Sequence, residues 1–310
     1  MKEKLLIFGS GGLVGSSVSR LVTQKYSESF DIFSATRKDA NLFSLDETRL
    51  LIEKEKPSYI INAAAKVGGI VANNTERTEF ILENLKININ ILESIINYPE
   101  IKVVNLGSSC IYPLDAPNPI SESSLMTGKL EPTNSPYAMA KLTAIEIGDA
   151  LSKQYGHNIT NLMPTNLYGP NDNFSPINSH VIPGLIYRMD LAKKNQEKQF
   201  EVWGTGKPKR EFLHVDDLSD AILFLIKNNI SDSLINIGSS SEVTISNLAN
   251  IIKNAVGYDG EIVFDKSKPD GNPQKLLDSR KINKLGWQPK ISLSQGIETT
   301  YEWFKENISL

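Results

Sequence analysis

The 310-residue sequence predicts an α/β protein: a doubly wound parallel sheet followed by a smaller α/β unit. Two observations carry this. Short apolar runs at Leu5–Phe8, Ile32–Ala35, Tyr59–Asn62, Val103–Leu106 and Ile159–Met163 alternate with helix-period segments such as Phe80–Ile96 and Tyr137–Leu151. Such alternation builds right-handed crossovers with helices on both sheet faces. From about Tyr168 the texture changes, because Gly169-Pro170-Asn171-Asp172-Asn173 and Pro176–Ser179 are loop chemistry and later elements are shorter. The chain therefore divides near residue 168, and the second unit is placed to close over the strand carboxyl ends, where open α/β sheets bind ligands.

Composition narrows the function. With 33 basic and 36 acidic side chains the net charge is −3, which does not suit affinity through phosphate-backbone neutralisation, so nucleic acid is not expected as a partner. The apolar run Leu5–Phe8 is too short for a signal-peptide core or a membrane span. One cysteine, Cys110, excludes an intramolecular disulfide, and with three histidines no metal site is expected. A soluble cytoplasmic protein away from membranes is the expectation.

Gly9-Ser10-Gly11-Gly12-Leu13-Val14-Gly15 follows the first strand and opens a helix. Glycines allow a tight turn and close backbone approach, and the helix N-terminus offers free N–H groups to a pyrophosphate. The second strand ends in Thr36-Arg37-Lys38, where an NAD enzyme presents a carboxylate to the ribose. Cations at Arg37 and Lys38 suit a 2′-phosphate, so NADP(H) is favoured over an ordinary solvated Arg-Lys pair, with nearby Asp39 weighing against it. Tyr137 and Lys141 stand one helical turn apart on the helix after the fourth strand, and Ser108 ends that strand. The ammonium is expected to draw the phenol toward working pH, as a proton donor to a carbonyl oxygen requires. Tyr98…Lys102 and Tyr301…Lys305 share the spacing without that context and are read as surface or packing pairs.

The glycine turn, Asn62-Ala63-Ala64-Ala65, Ser108 and Tyr137-xxx-Lys141 resemble the extended short-chain dehydrogenase/reductases that modify nucleotide sugars, which carry a Rossmann sheet. Ala65–Asn74, Gly107–Pro113, Glu131–Asn134, Met163–Gly169, Asn178–Pro183, Arg210–Asp217 and Lys268–Gly271 narrow the resemblance to the GDP-L-fucose synthase family over nearly the whole chain. The resemblance implies an NADP-binding domain over 1–168, which also receives parts of 211–240, and a nucleotide-sugar domain over 169–310. It implies reduction of a GDP-4-keto-6-deoxy-mannose by NADPH after epimerisation at sugar carbons 3 and 5. Catalysis is then carried by Ser108, Cys110, Tyr137, Lys141 and His180. Cofactor contacts are implied at Gly9, Gly12, Leu13, Val14 and Gly15, at Arg37 and Lys38, and at Asn62, Ala63 and Ala64. Further contacts are implied at Leu106, Lys141, Pro164, Asn166, Leu167 and His180. One departure is Gly11, where some relatives place an arginine on the 2′-phosphate, so cofactor choice falls to Arg37 and Lys38.

For the GDP moiety the resemblance points to Arg188, Trp203, Arg210 and Asp270, whose forks, indole and carboxylate suit diphosphate, base and hydroxyl groups. Each also has an ordinary role: a solvated helix arginine, a core tryptophan, a turn former before Gly271. Cys110 could equally be a small buried hydrophobe, and His180 an early helix residue. Asp216 and Asp217 are expected to cap the helix that begins there, His214 to be structural, and His157 to be exposed in a loop. The same family brings Phe80–Ile96 and Tyr137–Leu151 together across a two-fold axis, so a homodimer is implied. Two other functions fit these motifs: a C4-reductase for another GDP-4-keto sugar such as a heptose, and a non-catalytic NADP-binding regulator.

Overall fold

The computed structural model describes residues 2–176, 178–268 and 270–309; Ile177 and Pro269, inside two of the motif strings above, lie outside the described residues. The chain runs β1 (Glu3–Phe8), α1 (Leu13–Lys25), β2 (Phe30–Ala35), α2 (Leu45–Glu55), β3 (Tyr59–Asn62), α3 (Ile70–Thr75), α4 (Arg77–Ser94), β4 (Lys102–Leu106), α5 (Ser135–Tyr155) and β5 (Ile159–Pro164). It continues through β6 (Asn166–Tyr168), α6 (Val181–Lys194), β7 (Gln199–Trp203), β8 (Lys209–His214), α7 (Val215–Lys227) and β9 (Leu234–Ile237). The last part holds β10 (Glu242–Thr244), α8 (Ile245–Val256), β11 (Glu261–Asp265), β12 (Gln274–Lys275), α9 (Arg280–Lys284) and α10 (Leu293–Asn307). Among the described residues no helix is long and apolar enough to cross a membrane.

Six parallel strands form one sheet in the order β2-β1-β3-β4-β5-β9. The winding reverses between β1 and β3, which opens a crevice at their carboxyl ends. Every residue of β3 and β5 is buried, as in a sheet covered on both faces. One face is packed by α1 and α7 through Val18, Val22, Leu218 and Ile222, the other by α2, α4 and α5 through Ile52, Ile91 and Leu151. Further strands build the smaller unit: β8 pairs with β6, β10 and β12, and β7 pairs with β11. Its own core gathers α6, α8 and α10 through Ile186, Leu248 and Phe304.

A row of asparagines crosses the apolar sheet. Asn62, Asn105 and Asn161 are register partners on β3, β4 and β5 and are at most 2% exposed. Asn62 Nδ2 donates to Asn105 Oδ1 at 2.9 Å and to Asn88 Oδ1 on α4 at 3.1 Å. Asn105 Nδ2 donates to Asn161 Oδ1 at 3.0 Å, and Asn161 Nδ2 to the Ser233 carbonyl at 3.1 Å. Asn88 and Asn84 continue the chain along α4 to the loop after β3, where Asn84 Oδ1 accepts from the Lys66 amide at 3.1 Å. Slipping any of these strands by one residue would strand amides among leucines and isoleucines, so the row fixes register.

Two expectations are corrected here. His157 is buried, with Nε2 3.2 Å from the Ile96 carbonyl, because the turn after α5 tucks it under the end of α4. The cap of α7 is His214, whose Nδ1 accepts from the Asp216 amide at 3.2 Å. Asp216 instead accepts from Ser17 at 2.6 Å and pairs with Arg20, tying α7 to α1, while Asp217 accepts from the Lys290 and Ile291 amides at 3.0 Å.

Asn105→Ala leaves Asn161 Oδ1 and one Asn62 hydrogen without partners and is expected to cost about 2–4 kcal/mol. Melting should fall by roughly 2–4 °C per kcal/mol in a chain of this size. A variant that melts with the wild type would show that the row contributes nothing.

Candidate active site

At the β1/β3 crevice the glycine turn packs directly on the chain leaving β3. Gly9 has φ +76°, and a Cβ there would lie 2.7 Å from the Ala63 carbonyl carbon and from the Ala64 nitrogen. A Cβ on Gly15 would collide with the Gly9 carbonyl oxygen, so both positions require glycine. The first turn of α1 carries no acidic residue and its N-cap, Gly12, offers no side-chain bond, which leaves the N–H groups and the positive helix end free for an anion. Gly11 faces open space. A dinucleotide pyrophosphate fits this cradle.

The end of β2 settles the role of Asp39. Its Oδ2 accepts from the Thr36 amide and the Thr36 hydroxyl, both at 2.8 Å, and these bonds hold the carboxyl below its ordinary range. Asp39 is thus turned back on its own loop. Arg37 and Lys38 remain exposed at the edge of the crevice, cationic as a 2′-phosphate requires. The side-chain amide of Asn62 is spent inside the protein at both ends, in the buried row and on the Ala64 amide at 3.2 Å. The bond to the Ala64 amide fixes the backbone that leaves β3 under the glycine turn. Pro164 is buried at the end of β5; beyond it Asn166 is exposed, its Nδ2 on the Glu211 carbonyl at 2.8 Å, and Leu167 is half-buried.

The next strand end gathers the chemical groups. Ser108 follows β4, and its hydroxyl hydrogen-bonds Tyr137 at the start of α5 and accepts from the Cys110 amide at 3.2 Å. Lys141, one turn along α5, is 2% exposed and donates to the Leu106 carbonyl at 2.7 Å, with its ammonium 5.8 Å from the Tyr137 ring centroid. Burial pushes Lys141 down to about 8, so it is still mainly charged at neutral pH. The expected downward pull on Tyr137 is not what the surroundings produce: burial foremost, then Cys110, push the phenol up, and the Ser108 bond only partly offsets them. The phenol therefore keeps its proton until a stronger base appears beside it.

Cys110 is half-buried, 3.5 Å from Asn134 Nδ2 and 3.9 Å from Lys275 Nζ. Sequence reasoning missed both neighbours. Asn134 ends the Glu131–Asn134 motif just before Tyr137, but Lys275 arrives on β12 from 165 residues away and carries no local signal. His180 is the N-cap of α6. The loop after β3 reaches it: the Gly69 amide donates to the Asn178 carbonyl at 3.2 Å, and the Gly68 backbone hydrogen-bonds the His180 ring. His180 is exposed, yet the protein around its imidazole lowers the ring's basicity by desolvation, with the Gly68 bond opposing.

The four expected GDP contacts fall at the edge of the smaller unit. Trp203, 60% exposed at the end of β7, is no core residue, and Lys268 sits 5.7 Å above its ring. Asp270 takes the Thr205 amide at 2.8 Å and the Thr205 hydroxyl at 2.6 Å just after Trp203, and Arg210 lies near enough to lower its carboxyl further. Arg188 is half-buried over the Phe200 ring at 5.2 Å, with Nη1 3.3 Å from the Glu201 carbonyl. Since Lys275 is the register partner of Arg210, this group is continuous with Cys110.

A family model for the NAD dependent epimerase/dehydratase family matches residues 5–238, which is most of the chain. The chain belongs to that family. GDP-L-fucose synthase 1 of Arabidopsis thaliana is 47% identical over 98% of this chain and 94% of its own length. A GDP-L-fucose synthetase from Naegleria fowleri, solved bound to NADP, superposes with a TM-score of 0.89 at 30% identity, covering 99% of this chain and 95% of that one. A GDP-6-OMe-4-keto-L-xylo-heptose reductase from C. jejuni superposes with a TM-score of 0.90 at 32% identity, covering 99% of each. In this chain the glycine turn after β1 and Ser108 after β4 fall at carboxyl ends of the same sheet, with β3 between them.

Tyr137→Phe is expected to lower the rate of ketone reduction by roughly 10²–10⁴-fold with little change in NADPH affinity; near-normal turnover would remove Tyr137 from the chemistry. Arg37→Ala should weaken NADPH by roughly 10- to 100-fold and leave NADH unchanged, as judged by fluorescence titration of both. Equal loss for the two cofactors would make Arg37 a structural residue.

Proposed function

We propose that this protein is an NADPH-dependent epimerase/reductase that converts GDP-4-keto-6-deoxy-D-mannose to GDP-L-fucose. The observation that carries it is the convergence of Ser108, Cys110, Tyr137 and Lys141 on one pocket at the end of β4, in a chain 47% identical to a GDP-L-fucose synthase.

A 4-keto group acidifies the hydrogens on carbons 3 and 5 of the sugar. A base takes one such proton, the C–H electron pair becomes a carbon–carbon π bond, and the carbonyl pair moves onto the oxygen as an enolate. Ser108 and Tyr137 offer hydroxyl hydrogens to that oxygen. Return of a proton to the opposite face inverts the carbon, and Cys110 and His180 are the acceptor and donor for both centres. When bound, NADPH supplies the hydride for carbon 4. Tyr137 then gives its proton to the same oxygen, now an alkoxide, which is basic enough to take it even from a phenol whose own acidity burial has weakened. Lys141 holds positive charge beside the phenolate left behind. Arg188, Arg210, Trp203 and Asp270 hold the GDP moiety.

The second reading, a C4-reductase for a GDP-4-keto-heptose, is supported by the superposition on the C. jejuni enzyme. Product NMR decides between them. With NADPH and GDP-4-keto-6-deoxy-D-mannose the expected product is GDP-L-fucose. A reduced sugar that keeps its original configuration at carbons 3 and 5, or turnover only of a heptose analogue, would move the protein to the reductase reading. Binding of NADPH with no turnover of either sugar would leave a regulator.

We also propose a homodimer through α4 and α5. These helices pack on one another, and Leu82, Ile89 and Met139 remain exposed on them, an apolar surface that a second copy would cover. Sedimentation at micromolar concentration should give twice the chain mass; a single species of 34.4 kDa would reject the dimer.

A further inference from the structure

Asn134 occupies the N-cap of α5, and asparagine is among the residue types that most often close a helix N-terminus by accepting from an amide of the first turn. It does not do so here. Its backbone lies at φ −103° and ψ 6°, and its side chain makes no cap bond. The backbone is held from the other side: Glu131 accepts from the Asn134 amide at 3.1 Å, from the Thr133 amide at 3.1 Å and from the Thr133 hydroxyl at 2.6 Å. Arg77 clasps the Pro132 and Thr133 carbonyls at 2.9 and 3.1 Å. On this fixed loop the amide of Asn134 is turned away from the helix, so that Nδ2 lies 3.5 Å from Cys110 Sγ while Oδ1 is buried without a partner among the described residues. The residue forgoes a helix cap and leaves an acceptor unpaired, both of which cost stability, and its side-chain amide has the sulfur as its hydrogen-bond partner.

We propose that Asn134 is a positioning residue for proton transfer by Cys110: its amide fixes the sulfur toward the sugar and donates to it when the sulfur carries negative charge. The proposal rests on the reading of Cys110 as a proton carrier. As base, the thiolate takes the proton from carbon 3 or 5 and becomes a thiol, and the electron pair moves to the ketone oxygen held by Ser108 and Tyr137. Lys275, at 3.9 Å, is the second donor on the same sulfur. The amide, bonded at one end only, can turn over and accept from the thiol once the proton has arrived, so one side chain serves both states of the sulfur.

Two variants separate positioning from structure. Asn134→Ala removes the donor. Asn134→Asp keeps a favoured N-cap residue and adds a charge that suits the helix N-terminus, but it sets a carboxylate against the sulfur. Cys110 is the chain's one cysteine, so iodoacetamide alkylation of the intact protein reports on it alone. In both variants the alkylation rate against pH is expected to shift to higher pH, further in Asp. Deuterium uptake at carbons 3 and 5 of GDP-4-keto-6-deoxy-D-mannose, with NADPH omitted, should fall roughly 10- to 100-fold. NADPH affinity should hold, and Asn134→Asp should melt no lower than the wild type. An alkylation profile unchanged in both variants overturns the proposal, as does exchange that falls in Ala and returns in Asp together with stability. If the wild type itself exchanges nothing, the substrate reading fails, and the alkylation profiles alone decide the contact between Asn134 and Cys110.

Discussion

The buried asparagine row across β3, β4 and β5 is the constraint on which the site depends. Apolar packing drives the sheet together but does not choose its register, because one leucine or isoleucine fills a gap much as another does. An amide with no water to turn to accepts few neighbours. By pairing Asn62 with Asn105 and Asn105 with Asn161, the row aligns three carboxyl ends. Everything at the crevice is measured from them: Ala63 and Ala64 under the glycine turn, the Leu106 carbonyl that holds Lys141, and Ser108 two residues beyond it.

Burial sets the chemistry of that pocket more than pairing does. Lys141 has a carbonyl for its partner, and Tyr137 a serine hydroxyl, so desolvation governs both: it eases the lysine toward neutrality and keeps the phenol protonated. A pocket of this kind stabilises an oxygen that gains charge, since its donors are fixed and little water competes. In the proposed mechanism the same donors serve an enolate during epimerisation and an alkoxide during reduction. Cys110 stands apart in having two donors of its own, from α5's N-terminus and from β12, so the smaller unit reaches the proposed catalytic cluster.

Local patterns made the first half of the fold legible. Each of the five apolar runs is a strand, the glycine turn follows the first of them, and Tyr137 and Lys141 share one face of α5. What escaped was long-range. Asn105 and Asn161 sit inside apolar runs and look like blemishes until their strands are paired, and Asn62 looked like part of a cofactor motif alone. Lys275 reaches Cys110 only because β12 lies parallel to β8. His214 took the capping role expected of Asp216 and Asp217 because α1 and the chain before α10 had other uses for those carboxylates. His157 is buried by the end of α4, which nothing in its neighbours along the chain announces.

The central claim is that one pocket runs two separable reactions, proton transfer through Cys110 and hydride capture at the oxygen held by Tyr137. Cys110→Ala, incubated with GDP-4-keto-6-deoxy-D-mannose in D₂O, tests it most directly. Without NADPH the variant should take up no deuterium at carbons 3 and 5, where the wild type does; with NADPH it should still reduce the ketone slowly, to a sugar of unchanged configuration at those carbons. Deuterium uptake at the wild-type rate in Cys110→Ala, or exchange and reduction lost in equal measure, would contradict the account.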